Sequence, residues 1–502
     1  MPEKSMAIIG AGLAGLSAGC YAQMNGYRAR IFEHHGQPGG VAAAWRRGDY
    51  LFDGGIHFLM GAPPGQPLFR LYEELGVADA ARHLGLDLYL NLTDETSGRS
   101  VTVTRDLDRL ARDLRALSPG DAPAIDELIA GTRAMQRSGF LDLEMGRPRE
   151  LGSPLAPLRQ LWSMRRALRL FGGKFALPVS EYARRHVQDH WLRFVLEGLF
   201  MPEVPVWFLF MILGLLAEGR IGLLERGSLA FARDIEARFR ELGGEVTYHA
   251  TVARILVEGD RAVGVRLEDG SEHRADVVIS AADGRATLFE MLEGRYLDAA
   301  TKERYRSWPR IRPMLMINYG VRREFPGEPW ERILRLAEPL AVGPQAVSLI
   351  GIRLFNYSAH FAPPGKRVAQ VAFDADWDYW HGLREQDGAR YEAEKARVAS
   401  DALARLERHY PGIAAQVEET DVATPHTTWR YTRNYGGAYM GWMPTPKAIM
   451  TTLPRTLRGL DGFTMAGQWV VPGGGVPPSL YSGRHAVEIA CRLERRRFTT
   501  RT

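Results

Sequence analysis

Cysteine is nearly absent from the 502 residues: Cys20 and Cys491 sit at opposite ends, both among small residues at helical spacing. With no CxxC or metal-type spacing, a disulfide framework and a thiolate metal site are excluded. Two buried thiols in a reducing compartment are expected instead. Long apolar runs are missing too. The most apolar stretch, Val204 to Ala217, contains Pro205 and Gly214 and falls short of the ~20 residues a bilayer span needs. It reads as a core helix that can also wall a pocket for an apolar ligand. Nor does one sign of charge dominate, since 64 Lys and Arg face 59 Asp and Glu for a net +5. The basic residues are dispersed, without aromatics interleaved in one stripe. That argues against nucleic acid as a partner and leaves an anionic membrane surface as the more natural basic contact. No metal is expected.

What is present concentrates first at the N-terminus. The apolar run Met6 to Ile9 closes on Gly10, Gly12 and Gly15, a G-x-G-x-x-G spacing. Ala14, Leu16, Ala18, Ala22 and Met24 then predict a packed helix from Leu13, and Arg28 to Phe32 a second strand ending at Glu33. A strand, a glycine turn, a helix and a strand followed by an acid form a dinucleotide-binding unit. Gly10 permits the tight turn and Gly12 lets the backbone approach a pyrophosphate. Gly15 lets helix and sheet pack, and Glu33 can accept from ribose hydroxyls. The phosphates would rest on the positive end of the helix. No second fingerprint follows, so no separate nicotinamide domain is expected. Two decoys overlap this unit. Gly15 to Gly19 matches G-x-S-x-G, but Ser17 falls inside the helix rather than on the turn a nucleophile elbow requires. Lys4 and the apolar run mimic a secretory signal that the glycines break, so an unexported N-terminus and a cytoplasmic location are expected.

Three later blocks share this character. Gly39-Gly40 suggests a loop that admits a ligand to the backbone, and Trp45-Arg46-Arg47 and Phe52-Asp53-Gly54-Gly55-Ile56-His57 follow it. A helix over 228–242 precedes strands at 245–249, 253–258, 261–267 and 275–281, with turns at Gly259-Asp260 and Asp269-Gly270. A strand over 463–466 leads through Gly467 and Pro472 to Pro477-Pro478, where a helix can begin without losing a needed N–H. The expected architecture is α/β. A discontinuous Rossmann-like domain (1–65, 225–285 and 455–502) would carry an inserted α+β substrate domain (66–224 and 286–454). Within the insert, Pro154 to Phe171 places Leu155, Leu158, Leu161, Trp162, Leu168 and Phe171 at helical spacing beside four arginines. That pattern suits a helix lying on a membrane surface, here the inner face, and equally a solvent-facing helix packed on the core.

These residues resemble one group. The fingerprint with Glu33, the Gly39-Gly40 loop, Phe52-Asp53-x-Gly55, the Gly243-Gly244-Glu245 block running to Val277, Ile279, Ser280, Ala282 and Asp283, and Ala466-Gly467 with Pro472 to Gly475 are similar to phytoene desaturases, carotenoid isomerases and retinol saturases. Those are flavoproteins of the amine-oxidase-like FAD superfamily. The resemblance implies FAD, with Gly10, Gly12, Ala14 and Gly15 at the pyrophosphate and Glu33 at the adenosine ribose. Val252 would meet adenine through its backbone. Gly39 and Gly40 would border the cofactor, and Gly467, Gly475, Val476 and Pro477 would lie beside the pyrophosphate arm and isoalloxazine. Relatives often carry Arg directly after the paired glycine, where this chain has Val41, and Arg46 is the candidate replacement. The helix opening at Val476 would set its positive end toward charge developing on reduced flavin.

The resemblance further implies hydride transfer between flavin N5 and a carbon of a long lipophilic substrate, an isoprenoid polyene. Oxygen or a quinone would be the diffusible acceptor. A redox-neutral double-bond isomerase and a non-catalytic flavin-bound lipid carrier are the alternatives. Candidate acid–base groups are His57 and Tyr439, with His426, Arg430, Tyr431 and Tyr435 as further residues bordering the channel.

Overall fold

Parallel pairing of Lys4–Ile9 with Tyr27–Phe32 sets Ile9 beside Phe32 and delivers Gly10 to the carboxyl end of the first strand. The helix Leu13–Met24 makes the crossover, as the small-residue pattern predicts. Three more parallel strands complete the sheet, in the order Glu245–Thr247, Tyr27–Phe32, Lys4–Ile9, Val277–Ser280, Phe463–Met465. Strands from three distant parts of the chain thus share one sheet. The computed structural model describes residues 4–61, 63–79, 83–142, 145–152, 168–451 and 453–501.

Both faces of this sheet are covered, which is why its central strands are apolar over Met6–Ile9 and Val277–Ile279. Leu13–Met24, Gly227–Glu241 and Val476–Leu493 pack on one face. The antiparallel strands Val252–Glu258, Arg261–Leu267 and Glu272–Arg274 cover the other. The first and last helices nearly touch. A Cβ on Gly483 would come 2.3 Å from the Ala14 carbonyl oxygen, and Ser17 Oγ donates to the Leu480 carbonyl at 2.7 Å. Gly259 and Asp260 both take positive φ, as a tight hairpin turn requires. The expected strand 245–249 stops at Thr247 because His249 turns to φ 54°. The expected strand 275–281 narrows to Val277–Ser280, with Glu272–Arg274 forming a separate strand before it.

The intervening chain builds a second, seven-stranded sheet. Its order is Val417–Ala423, Met314–Val321, Arg367–Asp374, Gln345–Leu354, Glu331–Val342, Leu88–Asp94, Ser100–Thr104. Trp377–Gln386 and Gly388–His409 back one side of it. A helical cluster including Ala122–Gln136, His190–Gly198 and Val206–Ala217 packs nearby as its own core. Val206–Ala217 is therefore the buried core helix its composition suggests. Of the expected surface helix at 154–171, residues 154–167 lie outside the described residues. Leu168–Leu170 forms a single 3-10 turn, and Phe171 packs on Phe140 and Trp207. Among the described residues, no helix is long and apolar enough to cross a membrane.

Candidate functional site

One cavity of about 1340 Å³ runs from the glycine turn at the first sheet to the face of the second. Its nucleotide end begins where the first strand stops. Gly10 adopts φ 94°, and a Cβ on Gly15 would lie 1.9 Å from the Gly10 carbonyl oxygen. Gly15 therefore serves packing of helix on turn, and it does not itself line the cavity. Gly12 is different: a Cβ there would meet no protein atom within 4 Å. The space beside it is open to the cavity, which Gly10, Gly12 and Ala14 line with the paired glycines Gly39 and Gly40. The main chain of the pair locks onto the turn, since Gly39 N–H donates to the Ala11 carbonyl at 2.9 Å.

Glu33 and Val252 line the same end. Glu33 already accepts from Ala11 N–H at 2.6 Å and His35 N–H at 2.7 Å, one bond on each carboxylate oxygen. Burial raises its pKa, and those two backbone donors oppose the shift. Each oxygen keeps a lone pair for a further donor. The opposite wall is the final helix. Gly467 N–H donates to Ser482 Oγ at 2.7 Å, and Gly467, Gly475, Val476 and Pro477 all line the cavity. Gly473, Gly474 and Gly475 take φ of 89°, 57° and 93°, a run that glycine accommodates without strain. Because Pro477 and Pro478 follow, Val476 is the one residue of the first three helical positions with an N–H to offer.

The open space at Gly12, the unfilled capacity of Glu33 and the helix end at Val476 fit a dinucleotide. Arg46 does not join them. It sits exposed on the hairpin formed by Ala44–Arg47 and Tyr50–Asp53, away from the lining residues. The hairpin directs its arginine end toward the second sheet, where Arg47 pairs with Asp421 at 2.8 Å. The structure thus does not bring Arg46 to the place of the missing arginine.

Beyond the paired glycines the cavity meets a pinned loop. Asp53 is buried and accepts from Ser228 N–H and Ser228 Oγ, each at 2.6 Å, and from Gly55 N–H at 3.0 Å. Its carboxylate caps the start of Gly227–Glu241 from a distant part of the chain. A Cβ on Gly55 would fall 2.6 Å from Ser228 Oγ, so that position must be glycine. His57 lines the cavity just after this loop. Burial and the nearby Arg353 hold its pKa well below the usual imidazole range, which keeps the ring neutral. Tyr439 lies 3.4 Å from His57 Nε2, but its hydroxyl donates to the carbonyls of Gly54 and Gly55. Burial raises the Tyr439 pKa. The hydroxyl therefore fastens the loop.

Past His57 the walls turn largely apolar, with Phe58, Phe200, Trp207, Phe208 and Met211 on one side and the second sheet on the other, interrupted by Glu197, Glu203, Arg312 and Asp374. Of the other expected channel residues, Tyr431 lines the cavity, but at the nucleotide end, with its ring 4.7 Å from that of His35. His426, Arg430 and Tyr435 are not lining residues. Asp283, which closes the resembling 243–283 block but has no role assigned from sequence, is a lining residue that accepts from Ala286 N–H and Tyr435 N–H; burial raises its pKa to about 6. The structure also sets His426 beside His381 and Glu385, which carry no mark in the sequence; the ligand-type atoms of the three lie within 4.8 Å of one another. Because His381 and His426 are 45 residues apart, no sequence spacing announces the pair, and their Nδ1 atoms already meet each other at 3.0 Å.

A split parallel sheet with glycine turns at its carboxyl edge, opening into a largely apolar tunnel, defines a dinucleotide-dependent oxidoreductase. The model of the flavin containing amine oxidoreductase family matches residues 13–491, and the chain belongs to that family. Its cofactor is FAD. The chain is 25% identical to prolycopene isomerase of Arabidopsis thaliana, over 97% of this chain and 83% of that one. It is 26% identical to the neurosporene-forming phytoene desaturase of Rhodobacter capsulatus, over 96% of this chain and 93% of that one. An oxidoreductase structure from Methanosarcina mazei superposes with a TM-score of 0.62 at 17% identity, over 96% of this chain and all 100% of that one.

Proposed function

We propose that this protein changes the saturation of carbon–carbon bonds in a long lipophilic isoprenoid polyene. The carrying observation is the continuity of one cavity from the Gly12 turn to walls of Phe58, Phe200, Trp207 and Phe208. Bound FAD supplies two-electron chemistry, as hydride exchange at its N5. The protein supplies binding, orientation and exclusion of water.

On this reading Gly10, Gly12 and Ala14 receive the pyrophosphate on the positive end of the first helix, with Gly15 setting the turn. Glu33 takes the ribose and the Val252 backbone the adenine. Gly39, Gly40, Gly467, Gly475, Val476 and Pro477 would hold the flavin arm, and Val476 N–H would be available to stabilise negative charge on the ring. His57, held neutral, is the side chain offered to the reacting segment, while Tyr439 positions its loop. The cofactor domain comprises 1–65, 225–285 and 455–502, and the substrate domain the remainder. A diffusible acceptor, oxygen or a quinone, completes the cycle, and loading from the inner face of a membrane suits so apolar a substrate.

The similarity to a prolycopene isomerase supports a second reading, in which reduced flavin drives double-bond isomerisation with no net redox change. Incubating the holoprotein with acyclic polyenes, with the flavin oxidised or pre-reduced, separates the two. A product two mass units lighter or heavier supports desaturation or saturation, and an isomer of unchanged mass that needs pre-reduction supports isomerisation. A flavin whose spectrum and redox state respond to no polyene leaves the carrier alternative.

A further inference from the structure

The sheet that walls the tunnel carries a row of polar side chains, of which Arg353 and Glu331 reach the cavity; Gln345, Ser348 and Asp374 are further polar lining positions on it. Cross-strand register sets Asp421 opposite Asn318, Asn318 opposite Gln370, Gln370 opposite Arg353, and Arg353 opposite Glu331. Directly opposed residues share a face, so this is one row crossing neighbouring strands. The next row on that face, two residues along, is Ala423, Met316, Ala372, Gly351 and Ile333. A polar stripe therefore borders an apolar one, and Ala372, Gly351 and Ile333 line the cavity together with Arg353 and Glu331.

Hydrogen bonds run along the row. Arg353 Nε donates to Glu331 Oε1 at 3.4 Å, and Arg353 Nη1 to Gln370 Oε1 at 3.2 Å. Gln370 Nε2 donates to Asn318 Oδ1 at 2.8 Å and to the Asp53 carbonyl at 2.9 Å. The last bond ties the row to the loop that carries His57. Among the described residues the row is short of acceptors, because Arg353 Nη2 and Asn318 Nδ2 are buried without a partner. The Arg353–Glu331 contact is long, and both groups are largely buried, with side-chain exposures of 7% and 14%. Burial raises the Glu331 pKa. An ion pair in a tunnel wall is costly unless every donor and acceptor is satisfied. A hydrocarbon lying against it would satisfy none of them.

We propose that Arg353 and Glu331 form a head-group subsite for an oxygen function on the substrate, so that the preferred polyene carries a hydroxyl or carbonyl group rather than being a pure hydrocarbon. An oxygen there accepts from the Arg353 guanidinium, and a hydroxyl also donates to Glu331. The rest of the chain lies along the apolar row and the facing aromatics. This assignment rests on the polyene reading above and adds substrate class to it.

The test uses FAD-loaded protein and two probes: an acyclic polyene hydrocarbon, and the same carbon skeleton ending in a primary alcohol or aldehyde. Perturbation of the flavin spectrum gives binding, and product mass gives turnover. The parent protein should favour the oxygenated probe by at least about tenfold in kcat/KM, the worth of one charge-assisted hydrogen bond. In Arg353→Met that ratio should fall to about 1–3, and Arg353→Lys should restore part of it. Unchanged flavin content and melting temperature confirm that each variant folds, and the parent's preference needs no variant at all. Equal use of both probes by the parent, or an unaltered ratio in Arg353→Met, overturns the subsite and leaves the polyene reading standing. If neither probe perturbs the parent's flavin, the polyene reading falls and the subsite falls with it.

Discussion

The two ends of the cavity are built by different means. At the nucleotide end the proposed contacts are mostly backbone: the turn at Gly10, the open side of Gly12, and the N–H of Val476, with the Glu33 carboxylate beside them. At the substrate end they are side chains, notably His57, Arg353 and Glu331, gathered from separate strands and loops. Backbone devices demand particular residues at fixed local spacing. A side-chain wall demands only that distant strands meet in register. The first kind constrains sequence tightly and the second loosely.

Four substitutions or conditions put that contrast to the test. The largest effect is expected at Gly15, where a Cβ would lie 1.9 Å from the Gly10 carbonyl oxygen. Gly15→Ala should cost about 3 kcal/mol, the upper end of overpacking penalties, and release FAD, read by chemical denaturation and flavin absorbance. Asp53 comes next. In Asp53→Asn an amide N–H would face a Ser228 donor, so about 2–3 kcal/mol should be lost. That loss would show that the loop under His57 depends on a side chain rather than on glycine geometry.

A pH dependence follows from Asp283, with its pKa raised to about 6 by burial. An unfolded aspartate titrates near about 3.9. The raised folded value means that the contribution is fully present below about pH 4 and is lost as pH rises through about 6, amounting to about 3 kcal/mol. Thermal unfolding between pH 4 and 7 should show that slope, and Asp283→Asn should flatten it. The smallest effect is expected at Tyr439. Removing its hydroxyl in Tyr439→Phe should cost about 1 kcal/mol and change kcat by less than about fivefold, because the hydroxyl is committed to the Gly54 and Gly55 carbonyls. A fall of about a thousandfold would instead mark Tyr439 as a general acid or base.

The same contrast explains what could be read from the chain. Gly10, Gly12, Gly15 and Glu33 are contiguous enough for their spacing to carry geometry, and the final helix announces itself through Gly475 and Pro477-Pro478. The strands around Gly259-Asp260 were legible because hairpin turns leave local marks. Arg46 was misplaced because its hairpin reaches toward Asp421, a partner far along the chain that no local pattern reveals. The row from Asp421 to Glu331 was invisible for a related reason. Its members come from five strands spread along the chain, and only the pairing register makes them neighbours. A lone arginine in Gly351-Ile352-Arg353-Leu354 was the faint signal available.

The claim beneath all of this is that open space beside the first glycine turn is where FAD lies. Gly12 has φ −67°, which alanine adopts freely, and a Cβ there meets no protein atom within 4 Å. Titrating FAD into apoprotein and into Gly12→Ala, with fluorescence as the readout, tests it directly. The expected result is one FAD bound per parent chain, with at least about tenfold weaker binding by the variant and a melting temperature for the apo forms that agrees within about 2 °C. Equal affinity in the two proteins, or no binding by the parent, would contradict it.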